Sequence, residues 1–228
     1  MSGKVFIGVG HGGTDGGAIG IGGVKEKAIN LSIAKACGAE LERHGVQVLL
    51  SRTKDEDDTV QQEIAECNKY APDLAVDVHN NAGGGDGVET FYTKLGGTGK
   101  KLAENILAQI VALGQQSRGA KTRTNSSGSD FYVFIRETRA PAVIVECAFI
   151  DSSDVELVDT EKERAAVGVA IARGILQTLG VVYKPASSPA EGASLYRVQT
   201  GAYSRKEGAE AHAARLRAAG FEAIVKKS

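Results

Sequence analysis

Short apolar runs alternate with amphipathic stretches along most of this chain. Residues 3–9 alternate and then run apolar, the pattern of a buried strand. Over 24–44, Ala28, Leu31, Ala34, Ala39 and Leu41 recur at helical spacing and give way to Gly45, which predicts a helix with a glycine stop. Residues 46–50 predict a strand, and 58–70 a second helix closed by Pro72. Strands are expected at 74–79 and 87–93, with a helix over 97–113 that ends at Gly114. The polar residues 115–130 read as an exposed loop. Residues 131–135 and 142–147 read as strands, 152–157 as a short helix and 160–179 as a long one ended by Gly180. Strands that alternate with helices in this way predict an α/β fold with a mainly parallel twisted sheet flanked by helices.

The pattern breaks at 183–194, YKPASSPAEGAS, which holds two of the four prolines and reads as a linker. Beyond it, residues 195–228 predict a strand (195–200), a helix (206–219) and a strand (222–225), one small βαβ-like unit. This unit carries seven Lys and Arg against three Glu, whereas residues 1–182 carry 19 basic and 24 acidic residues. Opposite charge on the two parts points to two domains, 1–182 and 195–228, with different tasks.

The formal net charge of −1 argues against nucleic acid binding by the chain as a whole. No stretch is long and apolar enough to span a bilayer. The opening MSGKVFIGVGHGG has no apolar core of a signal peptide and no small-residue cleavage site, so synthesis in the cytoplasm is expected. Cys37, Cys67 and Cys147 are odd in number and lie in apolar or helical contexts, which predicts buried thiols and no disulfide framework.

Four residues carry the candidate chemistry. His11 follows the first apolar run inside a glycine-rich turn, His79 follows the run LAVDV, and Glu146 follows Val143-Ile144-Val145. In open α/β sheets ligands bind beyond the carboxyl ends of the strands, and these three residues fall at or just past such ends. Glu26 lies in the first turn of the helix after the glycine-rich loop, facing the same edge. Two His and one Glu form a common zinc ligand set that keeps a position open for water, and the remaining Glu suits acid–base work. A carboxylate directly after Val-Ile-Val is costly unless paired or metal-linked. By strand alternation Asp77 shares a face with His79 and suits a hydrogen bond to it. Gly8, Gly10 and Gly13 have the spacing of a dinucleotide-binding fingerprint, but the loop runs on to about Gly23 where that motif requires a helix.

The segments VGHGGTDGGAIGIGGVKEKAINL, VQVLLSRT, DLAVDVHNNA, GVETFY and FYVFIRETRAPAVIVECAFID resemble, in order and in register, the zinc-dependent N-acetylmuramoyl-L-alanine amidases of the Amidase_3 family. The resemblance covers about residues 3–180 and implies zinc held by His11, Glu26 and His79, with Glu146 as the catalytic glutamate. It implies cleavage of the amide between the lactyl group of N-acetylmuramic acid and L-alanine of peptidoglycan. Arg136 matches a position usually held by arginine, and Arg136 and Asn80 are expected to face substrate. Asp77 departs from the family, which often has Ser there, and loop 115–130 shows no clear family motif.

The tail LYRVQTGAYSRKEGAEAHAARLRAAGFEAIVKKS resembles the first half of a SPOR-type peptidoglycan-binding module. Half a module is short for independent folding and leaves a sheet edge unpaired, so association of two copies, hence at least a homodimer, is expected. A phage or prophage endolysin released to the cell wall through a membrane lesion fits these features. So does a mother-cell autolysin freed at sporulation. A zinc peptidase on a related sheet and an inactive wall-binding protein are the other readings.

Overall fold

In the computed structural model, residues 3–185, 200–218 and 223–225 are described. Strands β1 (Lys4–Val9), β2 (Gln47–Leu50), β3 (Leu74–Asn81), β4 (Val88–Tyr92), β5 (Ser117–Lys121) and β6 (Ala142–Phe149) form one sheet in the order β2-β1-β3-β6-β4-β5. β2, β1, β3 and β6 run parallel; β4 is antiparallel to β6 and parallel to β5. The helices are α1 (Glu26–Arg43), α2 (Val60–Tyr70), α3 (Gly97–Val111), α4 (Val133–Glu137), α5 (Glu161–Leu179) and α6 (Lys206–Ala218). The mainly parallel α/β sheet expected from the periodicity is the fold observed.

Side-chain alternation builds two cores of unequal size. Val5, Ile7, Leu74, Val76, Val78, Val143 and Val145 point to one face, where α1, α3 and α5 cover them. Phe6, Ala75, Ala142 and Ile144 point to the other, covered by Ile64 and Cys67 of α2 and by Phe134 and Ile135 of α4. The α2/α4 layer is thin, since α4 spans five residues. Strand parity places Asp77, His79 and Glu146 on this thinly covered face. Helices α2 and α5 start on chemistry legible in the sequence. Thr59 and Gln62 form a capping box for α2, and Thr160 and Glu163 one for α5; each such cap contributes about 1 kcal/mol.

Two expectations fail. Residues 131–135 are not a strand: FYVFI is β-prone, but a helical turn lets the adjacent Phe134 and Ile135 both bury in the smaller core, and packing outweighs propensity. The expected loop 115–130 contains β5, whose sequence SRGAK has no apolar alternation. β5 is an edge strand held by backbone pairing to β4 and by Arg118 and Lys121 on Glu89, a role that leaves no hydrophobic signature. In addition, His79 and Glu146 sit inside their strands rather than beyond them, because β3 and β6 run on to Asn81 and Phe149.

The chain divides into two compact units, Met1–Lys184 and Pro185–Ser228. In the second unit α6 matches the expected helix. The expected strand 195–200 lies, except for Thr200, outside the described residues, as does Glu222; Ala223–Val225 form no strand pairing among the described residues. Cys37, Cys67 and Cys147 are free and buried.

Candidate metal centre

His11, Glu26 and His79 each present one ligand atom such that all three atoms lie within 4.8 Å of one another. The turn after β1 delivers His11 in the left-handed region, at φ 62°, between Gly10 and Gly12. Such a conformation is uncommon for a residue with a side chain and is tolerated where the surroundings over-determine it. His79 needs space on the sheet face, and Gly10 provides it: a methyl group there would lie 2.2 Å from His79 Cε1. Glu26 opens α1 and reaches back beneath both rings, with Oε2 3.1 Å from His11 Nε2 and Oε1 3.1 Å from His79 Nδ1.

The far nitrogen of each imidazole is also engaged. His11 Nδ1 is 2.8 Å from Asp15 Oδ2, and His79 Nε2 is 3.2 Å from Asp77 Oδ2. A carboxylate on the far nitrogen fixes the tautomer, so that the near nitrogen keeps its lone pair for a cation. Glu26 is held by the backbone N–H of Ala18 at 2.9 Å and of Asn80 at 3.1 Å, and by Asn30 Nδ2 at 3.2 Å. Burial opposes ionisation of Glu26, yet the two histidines outweigh it and hold its carboxyl well below the usual range. A hydrogen bond donated to the Glu26 carboxylate raises His11, while Asp77 and Glu26 hold His79 well above its ordinary value against the effect of burial. An anionic carboxylate and two imidazoles, each backed by a second carboxylate, suit a divalent cation such as zinc.

Glu146 pairs in register with His79 across β3 and β6, and with Glu89 across β6 and β4. Burial first, then the surrounding carboxylates, pushes its carboxyl up to about 7 although His79 pulls the other way. A carboxyl poised there exchanges protons readily at neutral pH.

Arg136 and Asn80 lie differently. Arg136 donates to the carbonyls of Asp130 and Phe131 and pairs with Glu137, so its guanidinium braces the preceding loop. Asn80 is buried and donates to Asn30 Oδ1 at 2.8 Å. Sequence reasoning missed Asp15, Asn30, Glu63 and Glu89. Asn30 carried a usable signal, four residues after Glu26 on the same helix face; the others depend on tertiary approach.

Residues 5–177 match the family model described as N-acetylmuramoyl-L-alanine amidase, and residues 171–227 match a SPOR domain model. The chain is 34% identical over 227 residues to a sporulation-specific N-acetylmuramoyl-L-alanine amidase of Bacillus subtilis, covering 97% of this chain and 84% of that protein. It is 34% identical to an endolysin of Bacillus phage SPP1, over 82% of this chain and 70% of that one. Its fold superposes on an N-acetylmuramoyl-L-alanine amidase of Nostoc punctiforme with a TM-score of 0.71 at 30% identity, covering 79% of this chain and 99% of that one. The match therefore extends from the segments around the metal centre to residues 5–177, most of the first unit, and the chain belongs to the N-acetylmuramoyl-L-alanine amidase family.

Proposed function

We propose that His11, Glu26 and His79 hold a catalytic zinc ion and that Glu146 is the acid–base residue in hydrolysis of the amide between the lactyl group of N-acetylmuramic acid and L-alanine. The observation that carries this reading is the convergence of the three ligand atoms beside Glu146, with a carboxylate behind each imidazole. Bound there, zinc supplies Lewis acidity, activating water at neutral pH and polarising the scissile carbonyl. Glu146 accepts a proton from the attacking water as the new C–O bond forms. It then delivers that proton to the departing nitrogen as the C–N bond breaks, leaving a muramoyl carboxylate and a free L-alanine amine. Asp15 and Asp77 hold the two imidazoles in the ligating tautomer. Incubation with purified cell walls tests the assignment. New L-alanine amino termini with intact muramic acid are expected, whereas cleavage between amino acids of the stem would mark a peptidase.

Residues 1–182 are the catalytic domain in this reading, 183–194 a linker, and 195–228 a SPOR-like half-module that retains the enzyme on peptidoglycan. Two copies of the half-module associate, which makes the enzyme a homodimer. No helix among the described residues is long and apolar enough to cross a membrane. Deployment as an endolysin fits the catalytic unit. The alignment to the sporulation-specific enzyme covers 97% of the chain against 82% for the endolysin, and this favours a mother-cell autolysin as the second reading. Zymography of lysates from induced prophage and from sporulating mother cells separates the two.

A further inference from the structure

A second pair of carboxyl groups lies behind the metal centre. Glu63 of α2 and Asp77 of β3 are both buried, and Glu63 Oε1 and Asp77 Oδ1 have no hydrogen-bond partner among the described residues. Gly8 of β1 separates them: it is the register partner of Asp77, and a methyl group on it would lie 1.8 Å from Glu63 Oε1 and 2.8 Å from Asp77 Oδ1. The two orphaned oxygens thus face each other across a single methyl-sized space. Arg52, the nearby cation, does not serve them; it donates to the carbonyls of Val9, Gly10, Lys27 and Lys54.

Two buried carboxylates at this spacing repel, and each unmet acceptor costs free energy. One proton between them removes both penalties. Asp77 already has its other oxygen 3.2 Å from His79 Nε2, so Glu63 is the member placed to donate. Glu63 is then the acid. Burial, followed by the charge of Asp77, pushes its carboxyl well above the ordinary range, in keeping with that assignment.

We propose that Glu63 is a positioning residue for the metal centre: as a carboxylic acid it donates a hydrogen bond to Asp77 Oδ1 and so orients the Asp77 carboxylate that fixes His79. This rests on the reading of His79 as a zinc ligand. The chain of contacts runs from α2 across Gly8 to β3, so the thin helical layer on this face takes part in the site. Asp77 alone, with one oxygen unmet, would be free to turn away from the imidazole. Gly8 is needed for the same reason, since any side chain would separate the two carboxyl groups.

The test is zinc affinity by chelator competition on the full chain, with Glu63→Gln, Glu63→Leu and His79→Ala in parallel. Gln keeps a donor toward Asp77, while Leu fills similar volume without one. Glu63→Gln is expected to bind zinc as the parent does, and Glu63→Leu roughly tenfold more weakly. The downfield imidazole N–H resonance of zinc-loaded His79 is expected in the parent and in Glu63→Gln and absent in Glu63→Leu. Parent-like affinity in Glu63→Leu, or a Glu63→Gln as weak as Glu63→Leu, overturns the proposal. If Glu63→Leu does not fold, Glu63→Gln decides: retained affinity and resonance support the proposal, and loss of either overturns it. If His79→Ala leaves zinc affinity unchanged, the metal-site reading itself fails, which separates that failure from failure of the role given to Glu63.

Discussion

His79 of β3 and Glu146 of β6 are register partners in adjacent parallel strands, and both side chains leave the sheet on its thinly covered face. In the proposed mechanism this means that a metal ligand and an acid–base group are fixed by backbone pairing rather than by a loop. The arrangement separates their roles, because Glu146 belongs to neither imidazole pair.

Glu146→Ala is therefore expected to retain zinc and lose turnover by about a hundredfold to ten-thousandfold, the range for removal of a general acid–base group. Zinc content by atomic absorption and turbidity loss of purified walls check both halves. Because Glu146 must be ionised to accept a proton, kcat/KM falls as pH drops through its pKa. Burial places that value at about 7 without metal, and a nearby zinc charge lowers it, so the acid limb is expected at or below about pH 7.

Stability should respond to pH in opposite directions with and without metal. Without it, His11 and His79 have folded pKa values above the unfolded reference of about 6.5. Their contribution is full below that reference and is lost as pH rises through the raised values. Glu26, lowered in the fold, contributes fully above its unfolded value, and that contribution declines progressively as pH falls below it. Zinc requires neutral imidazoles, so its binding releases protons and strengthens with pH. The gap in Tm between zinc-loaded and chelated protein is expected to be wider at about pH 8 than at about pH 6. Scanning fluorimetry at both values checks this; an equal or narrower gap at the higher pH contradicts the ligand set.

How much of this was legible in the sequence depends on where each signal resides. Val5, Ile7, Val76 and Val143 announce strands because burial on both faces demands apolar residues at every position. His11, His79 and Glu146 were visible as polar residues interrupting or ending such runs. Asp77 was visible through strand parity. β5 was not, because an edge strand held by backbone pairing and ion pairs to Glu89 needs no apolar pattern. Glu63 was hidden differently: as an acid in an amphipathic helix it reads as a solvated position, and only its approach to Gly8 and Asp77 shows otherwise.

The two carboxylates behind the imidazoles should differ in weight. Asp77 has a side chain only 4% exposed, whereas that of Asp15 is 68% exposed. Asp77→Asn leaves His79 facing a weaker, uncharged acceptor away from water, and zinc affinity is expected to fall about tenfold to a hundredfold. Asp15→Asn removes a solvent-screened pair and should cost at most about fivefold. Chelator competition on both variants checks the ranking, and an equal loss in the two would mean that burial does not set the contribution.

The tail gives the last expectation. Within the first unit the chain runs to Tyr183, which stacks on His44, and Lys184, whose N–H donates to His44 Nε2 at 2.9 Å. Truncation after Lys184 removes none of the residues of the sheet or the metal centre. The shortened protein should keep its Tm and its turnover of soluble muramoyl peptides. If the half-module both pairs and binds the wall, the shortened protein should sediment as a monomer where the full chain sediments as a dimer, and should be washed from insoluble peptidoglycan that retains the full chain. Sedimentation velocity and a pull-down on washed sacculi read the two effects separately. A full chain that is monomeric yet retained would assign wall binding to a single copy and remove the need for the pair.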